Sequence, residues 1–279
     1  MLTIIHLAEK LTLLAFLTGS MGATGLALAP RELGEPLRDG RFVAFALGLN
    51  FLLAPALAWL LASLLGLDRS LANGLLLIGG AAGAPFLPKL LEVARGDLAR
   101  GVTLMVLLTA GTLVFLPLAL PRMIPGLEAD PLEIALPMLL WMAVPMLAGM
   151  LIKQWRPVLA ARLASPLAKA GSLFLLIFFS LLLTEHAHAL LGLFGSRAVL
   201  AAVLHAALLF IAGWWLGGPG VRTRGVLGLG TATRNFGAAL VPATTSLRDP
   251  QVVLMLVASA LAGSLLSFSA AAWVKRQTA

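Results

Sequence analysis

The chain has no cysteine, and only 11% of its 279 residues are charged. Without cysteine there is no disulfide, no thiolate nucleophile and no cysteine-ligated metal. A charged share so far below the roughly one quarter of ordinary soluble domains leaves too little polar surface to wet a globule. Acidic residues number 12, and none falls in the core of an apolar run. Glu9, Glu92 and Glu185 all lie near run ends. The carboxylate that would hold a sodium ion or relay a proton inside a membrane is therefore missing. There is no HExxH, no Walker A loop, no GxSxG and no EF-hand loop. No nucleophile–base pair occurs in an apolar segment, so the chain reads as a non-enzyme with no cofactor and no metal.

What is present is hydrocarbon. Hydrophobic residues make up 60% of the chain and the mean hydropathy is +0.99. A polytopic membrane protein accommodates this, because lipid is the solvent for its outer face. With about 20 apolar residues per crossing as the ruler, nine spans are expected, at 4–28, 42–66, 71–95, 99–120, 131–152, 168–190, 197–217, 225–247 and 251–274. The loops between them are short, so residues 1–279 read as a single transmembrane domain. Its first half covers about 1–120 and its second about 131–279. Taking the faces alternately, one collects 13 of the 20 lysines and arginines and the other 4, with Lys10, Lys89 and Arg234 inside spans. That bias implies an external N-terminus and a cytoplasmic C-terminus in an inner membrane. It also accounts for the net charge of +8 without nucleic acid. The first apolar run continues into the multi-span pattern and reads as a retained helix rather than a cleaved signal. Trp155 and Trp273 fall near span ends, as interfacial anchors do.

Two spans are not ordinary helices. The third, NGLLLIGGAAGAPFLPKLLEVARGD, carries Gly79, Gly80, Gly83, Pro85 and Pro88. The eighth, GVLGLGTATRNFGAALVPATT, carries Gly225, Gly228, Gly230, Gly237 and Pro242. Proline removes a backbone donor and clashes with the preceding turn, and glycine weakens helix interiors. Small residues also serve close helix packing, which is the plainer reading of GGAAG alone. Interrupted spans in both halves are the pattern of a secondary transporter built from inverted repeats.

Arg234 is the sharpest candidate. Ten residues from Arg224, at 1.5 Å each, put it roughly 15 Å deep in a core about 30 Å thick. A charge there marks a functional site by default, because a side chain does not comfortably snorkel from the midplane. Asn235, Thr231 and Thr233 beside it, with Asn50 of the second span and Thr112 of the fourth, are the other candidate solute-binding groups. Lys89 is the counterpart in the third span. It either faces the site or pairs with Glu92 three residues on. Lys89 and His205 are the candidates for proton coupling. Glu185, His186 and His188 form a further cluster, which reads either as a helix end or as part of that coupling. Two cations without a carboxylate partner point to an anionic solute. A passive pore and a non-transporting receptor are the alternatives. The expected partners are a small-molecule solute and the lipid bilayer, and no motif fixes an oligomeric state.

The runs LNFLLAPALAWLLASLLGL, GLLLIGGAAGAPFLPKLLEVARGDLARGVTL and GTATRNFGAAL resemble the bile acid:sodium symporter family, in order and at matching spacing. The resemblance implies an all-α polytopic fold with two inverted repeats and two discontinuous crossing helices, here lacking the first helix of the usual ten. It also implies sodium-dependent transport, but the residues that would carry sodium differ. A Ser-Asn pair of the first broken helix corresponds to Leu87 and Pro88. Hydroxyls of the next helix correspond to Gly101 and Met105, and a glutamate shared by both sodium sites to Gly230. A Gln-Asn pair becomes Arg234-Asn235, and Asn50 stands for a glutamine. The expectation is a secondary transporter on this fold that does not use the two sodium sites.

Overall fold

Proline and glycine decide where this chain stops being a plain α-helix. In the computed structural model the described residues are 2–28, 37–124, 126, 127, 129–193 and 196–278, with the side chains of 2–6, 183 and 185–191 excepted. The candidate cluster Glu185, His186 and His188 therefore lies outside the described side chains. Every regular element among the described residues is helical. In order they are α1 (Leu2–Ala27), α2 (Gly40–Leu64), α3 (Arg69–Gly80), α4 (Leu87–Ala94), α5 (Leu98–Met123) and α6 (Pro131–Trp155). They continue with α7 (Pro157–Leu193), α8 (Arg197–Leu216), α9 (Val221–Ala232), α10 (Phe236–Pro242) and α11 (Pro250–Gln277).

Among the described residues six helices are long and apolar enough to cross a membrane: α2, α5, α6, α7 over Pro157–Leu182, α8 and α11. Large apolar side chains such as Trp59, Leu64, Trp215 and Leu265 are exposed on their outer surfaces. That arrangement is costly in water and natural in lipid. α3 and α9, at 12 residues each, reach only about 18 Å and fall short of the bilayer core. Each continues past a non-helical stretch into a second short helix, α4 or α10. The two interruptions expected from glycine and proline are thus present, at 81–86 and 233–235.

Two features differ from the sequence expectation. α7 begins at Pro157, not near 168, and runs for 37 residues. Arg162 and Pro166, ahead of the apolar run, fall outside the expected spans. Pro157 is instead a favourable first helical residue, and the polar turns extend the helix beyond its apolar part. The second difference is in the turns before two prolines. α2 widens to a π-turn at Leu49–Leu53 ahead of Pro55, and α6 does the same at Leu139–Ala143 ahead of Pro145. A proline ring crowds the carbonyl one turn back, and widening that turn relieves the clash.

The helices form two units. One comprises Met1–Glu32 and Leu136–Gly192, the other Leu33–Ala135 and Leu193–Ala279. In the first, α1 packs on α6 through glycine. A Cβ built on Gly25 meets the Met146 carbonyl oxygen at 2.0 Å, and one on Gly149 meets that of Gly22 at 2.5 Å. Lipid supplies no hydrophobic drive between helices, so close backbone contact is what holds such a pair. In the second unit α3 packs on α2 and α11, and α9 on α8, α11 and α5. The stretches Gly74–Gly80 and Gly225–Ala232 are buried on every side, so the ends of α3 and α9 that face the breaks lie inside protein.

Gly25→Leu must push the two backbones apart, at about 1–3 kcal/mol for overpacking. It lowers the thermal unfolding midpoint of the purified protein by several degrees. Gly263→Leu, where nothing lies within 4 Å of the added carbon, leaves the midpoint unchanged.

Candidate functional site

A helix that stops inside a membrane leaves carbonyls at its C-terminal end and N–H groups at the next N-terminal end. Unpaired in hydrocarbon, each costs several kcal/mol. The first break runs from Ala81 to Phe86. Its Ala82 N–H donates to Thr112 Oγ1 (2.9 Å), and that hydroxyl donates to Ala82 O (3.0 Å). Thr109 Oγ1 donates to Gly83 O (3.0 Å) and to Met105 O of its own helix (2.8 Å). Gly83 has φ +82°, and a Cβ there would lie 2.4 Å from the Thr109 nitrogen. Only glycine satisfies both the backbone angle and the approach of α5.

The second break closes against the first. Asn235 N–H donates to Ala81 O (2.9 Å), and Asn235 Nδ2 donates to Gly83 O (3.0 Å). Asn235 Oδ1 accepts the Ala238 N–H (3.0 Å) and so caps α10. Thr233 Oγ1 donates to Leu229 O (2.7 Å) within its own chain segment.

Arg234 takes what remains. Its Nε donates to Ile78 O (3.1 Å), and its Nη2 donates to Gly79 O. Its Nη1 donates to Asn50 Oδ1 (2.7 Å) and to Thr231 O (3.2 Å). The second Nη2 hydrogen points to Asn50 O at 3.5 Å, the longest of the five. Every N–H of the guanidinium thus faces a protein oxygen. Ile78 and Gly79 end α3 and Thr231 ends α9, so one cation sits at the C-terminal ends of both half-helices. Those ends each carry about half a negative charge, and the guanidinium balances them together. Arg234 is half-buried, whereas Asn50, Thr231, Thr233 and Asn235 are fully buried.

Asn50 is positioned by the π-turn of α2. Its Nδ2 donates to Ala46 O (2.9 Å) and to Thr231 Oγ1 (3.4 Å). The turn advances by five, with Ala54 N–H on Leu49 O. The next donor would come from residue 55, which is proline. Asn50 O is therefore left without its helical partner, and Arg234 approaches it.

Of the candidates from sequence, Arg234, Asn50 and Thr231 meet at one point, with Asn235 and Thr112 stitching the adjacent backbone. Thr233 bonds its own helix end. Lys89 is not brought there. Its ammonium pairs with Glu92 at 2.6 Å, the two side chains being 72% and 51% exposed. His205 is buried on α8 and donates from Nε2 to Ala54 O at 3.0 Å. The carbonyls of Ile78 and Gly79 were not among the candidates. The prolines at 85 and 88 signalled that carbonyls would be freed, but nothing in the sequence identified which side chain would reach them.

The neighbourhood that the resemblance associates with sodium is packed hydrocarbon. A Cβ on Gly230 would meet Leu104 Cδ2 at 2.4 Å and Leu87 Cδ2 at 3.3 Å, and one on Gly101 would meet Leu91 Cδ1 at 2.0 Å. The leucines occupy the space that the two glycines leave. A polar cleft of about 730 Å³ lies at the other ends of the broken segments, lined by Arg69, Ser70, Asn73, Glu133, Ser246 and Arg248 among others.

Apolar helices around two buried, interrupted ones define a polytopic helical membrane protein with a polar site in its interior. Residues 13–192 match the sequence model of the Sodium Bile acid symporter family, more than half of the chain. The chain belongs to that family, whose members are membrane transporters. The match ends before α9, so Arg234 and Asn235 lie beyond it. No curated protein matches the chain.

Arg234→Met leaves up to five acceptors without a donor, at roughly 1–3 kcal/mol for each that stays dry. The thermal midpoint falls on the order of 10 °C, and Arg234→Lys, with one ammonium for a five-donor fork, recovers only part of it. Lys89→Gln removes an exposed pair of the kind that contributes about 0–1 kcal/mol, and leaves the midpoint within a degree or so of wild type.

Proposed function

We propose that this chain is a secondary active transporter of a small organic anion, working by alternating access without the two sodium sites of the family pattern. On this reading nine spans, with α3–α4 and α9–α10 as the discontinuous third and eighth, form inverted repeats in an inner membrane. The N-terminus is outside and the C-terminus cytoplasmic. The observation that carries it is Arg234, a permanently charged group at the point where two broken helices meet.

A mobile cation bound at facing helix C-termini must be supplied with every cycle. A guanidinium fixed to the chain is supplied once. With the C-terminal ends of α3 and α9 balanced by Arg234, the positive N-terminal end of α4 is unopposed, which favours a negatively charged solute. Leu87, Leu91 and Leu104, packed where sodium ligands would be needed, support the same reading. Carboxylates are absent from the described core of this unit, which further lowers the prospect of a bound alkali cation.

The test is uptake of labelled cholate and of short aliphatic carboxylates into proteoliposomes. Saturable uptake with counterflow is expected, equal in inward sodium and choline gradients, and lost in Arg234→Met. Clear stimulation by the sodium gradient overturns sodium independence, and flux without saturation or counterflow points to a pore instead.

A further inference from the structure

The five acceptors around Arg234 fall into two groups. Ile78 O, Gly79 O and Thr231 O belong to the broken helices, whereas Asn50 Oδ1 and Asn50 O belong to the intact helix α2. One residue thus presents two oxygens to the two terminal nitrogens, Oδ1 to Nη1 at 2.7 Å and the main-chain oxygen to Nη2 at 3.5 Å. That is the end-on pattern in which a carboxylate takes a guanidinium by two parallel hydrogen bonds.

We propose that Asn50 is a displaceable placeholder on Arg234, a latch that a solute carboxylate opens by taking its place. The meaning for transport rests on the function proposed above; the latch itself rests on the geometry. Three observations support displacement. The Asn50 oxygens are neutral, and a carboxylate makes charge-assisted bonds about twice as strong. The main-chain contact is long, and the π-turn before Pro55 leaves α2 without one of its own hydrogen bonds at that level. Arg234 retains some exposed surface as a residue, whereas Asn50 has none.

Displacement needs no loss of the cation from its seat. Nε stays on Ile78 O, one Nη2 hydrogen on Gly79 O and one Nη1 hydrogen on Thr231 O. The remaining Nη1 and Nη2 hydrogens pass from Asn50 to the solute. The Asn50 amide keeps its bond to Ala46 O, 2.9 Å away in its own helix. The Arg234 link between α2 and the broken helices is then open when a carboxylate is bound and closed when none is, while the packing of α3 on α2 remains. The latch also sets specificity, since an ester or amide of the same solute offers only neutral oxygen and does not out-compete asparagine.

The test compares wild type with Asn50→Ala and Asn50→Asp in the full chain, purified into lipid nanodiscs. The probe is acetate, the smallest carboxylate able to make the fork, against acetamide, with ionic strength held by chloride. The readout is the thermal midpoint. In Asn50→Ala half-maximal stabilisation by acetate falls to about one fifth of the wild-type concentration or lower, because the competing amide is gone. In Asn50→Asp the tethered carboxylate occupies the fork at high effective concentration, so the midpoint is raised without anion and the acetate response disappears. Acetamide is inert throughout. A wild-type acetate response in Asn50→Asp, or none in Asn50→Ala, overturns the latch. Should Asn50→Ala not fold, Asn50→Asp alone decides. If this order holds while labelled cholate and the carboxylates fail to cross wild-type liposomes, the transport reading falls and the latch stands. If they cross equally with wild type, Asn50→Ala and Asn50→Asp, the latch falls and the transport reading stands.

Discussion

The interaction on which the interior of the larger unit depends is the one between a single guanidinium and the C-terminal ends of two half-helices. Two negative dipole ends brought together in hydrocarbon repel, and their last carbonyls have no water to turn to. Arg234 answers both problems with one group, since its planar fork reaches oxygens of α3, α9 and α2 at once. A lysine carries the same charge but not the five directions. The remaining backbone of the breaks is satisfied by short side chains at fixed places: Thr112 on Ala82, Thr109 and Asn235 on Gly83, and Asn235 again on α10. Gly83 is the steric condition for this closure, because any side chain there would collide with α5.

Much of this was legible from the residues. The glycine and proline clusters located both interruptions to within a few residues, for the physical reason that those residues cannot sustain a helix. That Arg234 belongs to the interrupted part of the eighth span was read from its place among the glycines and threonines. Two readings of Lys89 were open, and its 2.6 Å pair with Glu92 is the plainer of them. What could not be read was of another kind. The π-turns of α2 and α6 arise from clashes of proline with the preceding carbonyl, a local effect that hydropathy does not register. The start of α7 was hidden by Arg162 and Pro166, a charge and a helix-breaking residue ahead of the apolar run. Which oxygens Arg234 reaches depends on contacts more than 150 residues apart along the chain, where periodicity says nothing.

Membership of the Sodium Bile acid symporter family and the local chemistry pull in different directions, and the difference is informative. The chain carries a helical framework with two breaks, while the positions that the resemblance links to sodium are occupied by glycine and leucine packed against one another. A charge tethered by a side chain cannot be coupled to an ion gradient, because it never leaves. On the proposed reading the framework keeps its balance of dipoles without a bound cation, so the energetics of transport shift to the solute and to the membrane potential acting on it.

The most direct measurement is the thermal unfolding midpoint of the purified wild-type protein as sodium replaces choline at constant ionic strength. A resident guanidinium leaves no vacancy for a mobile cation, so the midpoint stays flat across the titration. A saturable rise with sodium would show a cation site that Arg234 does not fill, and would contradict the account.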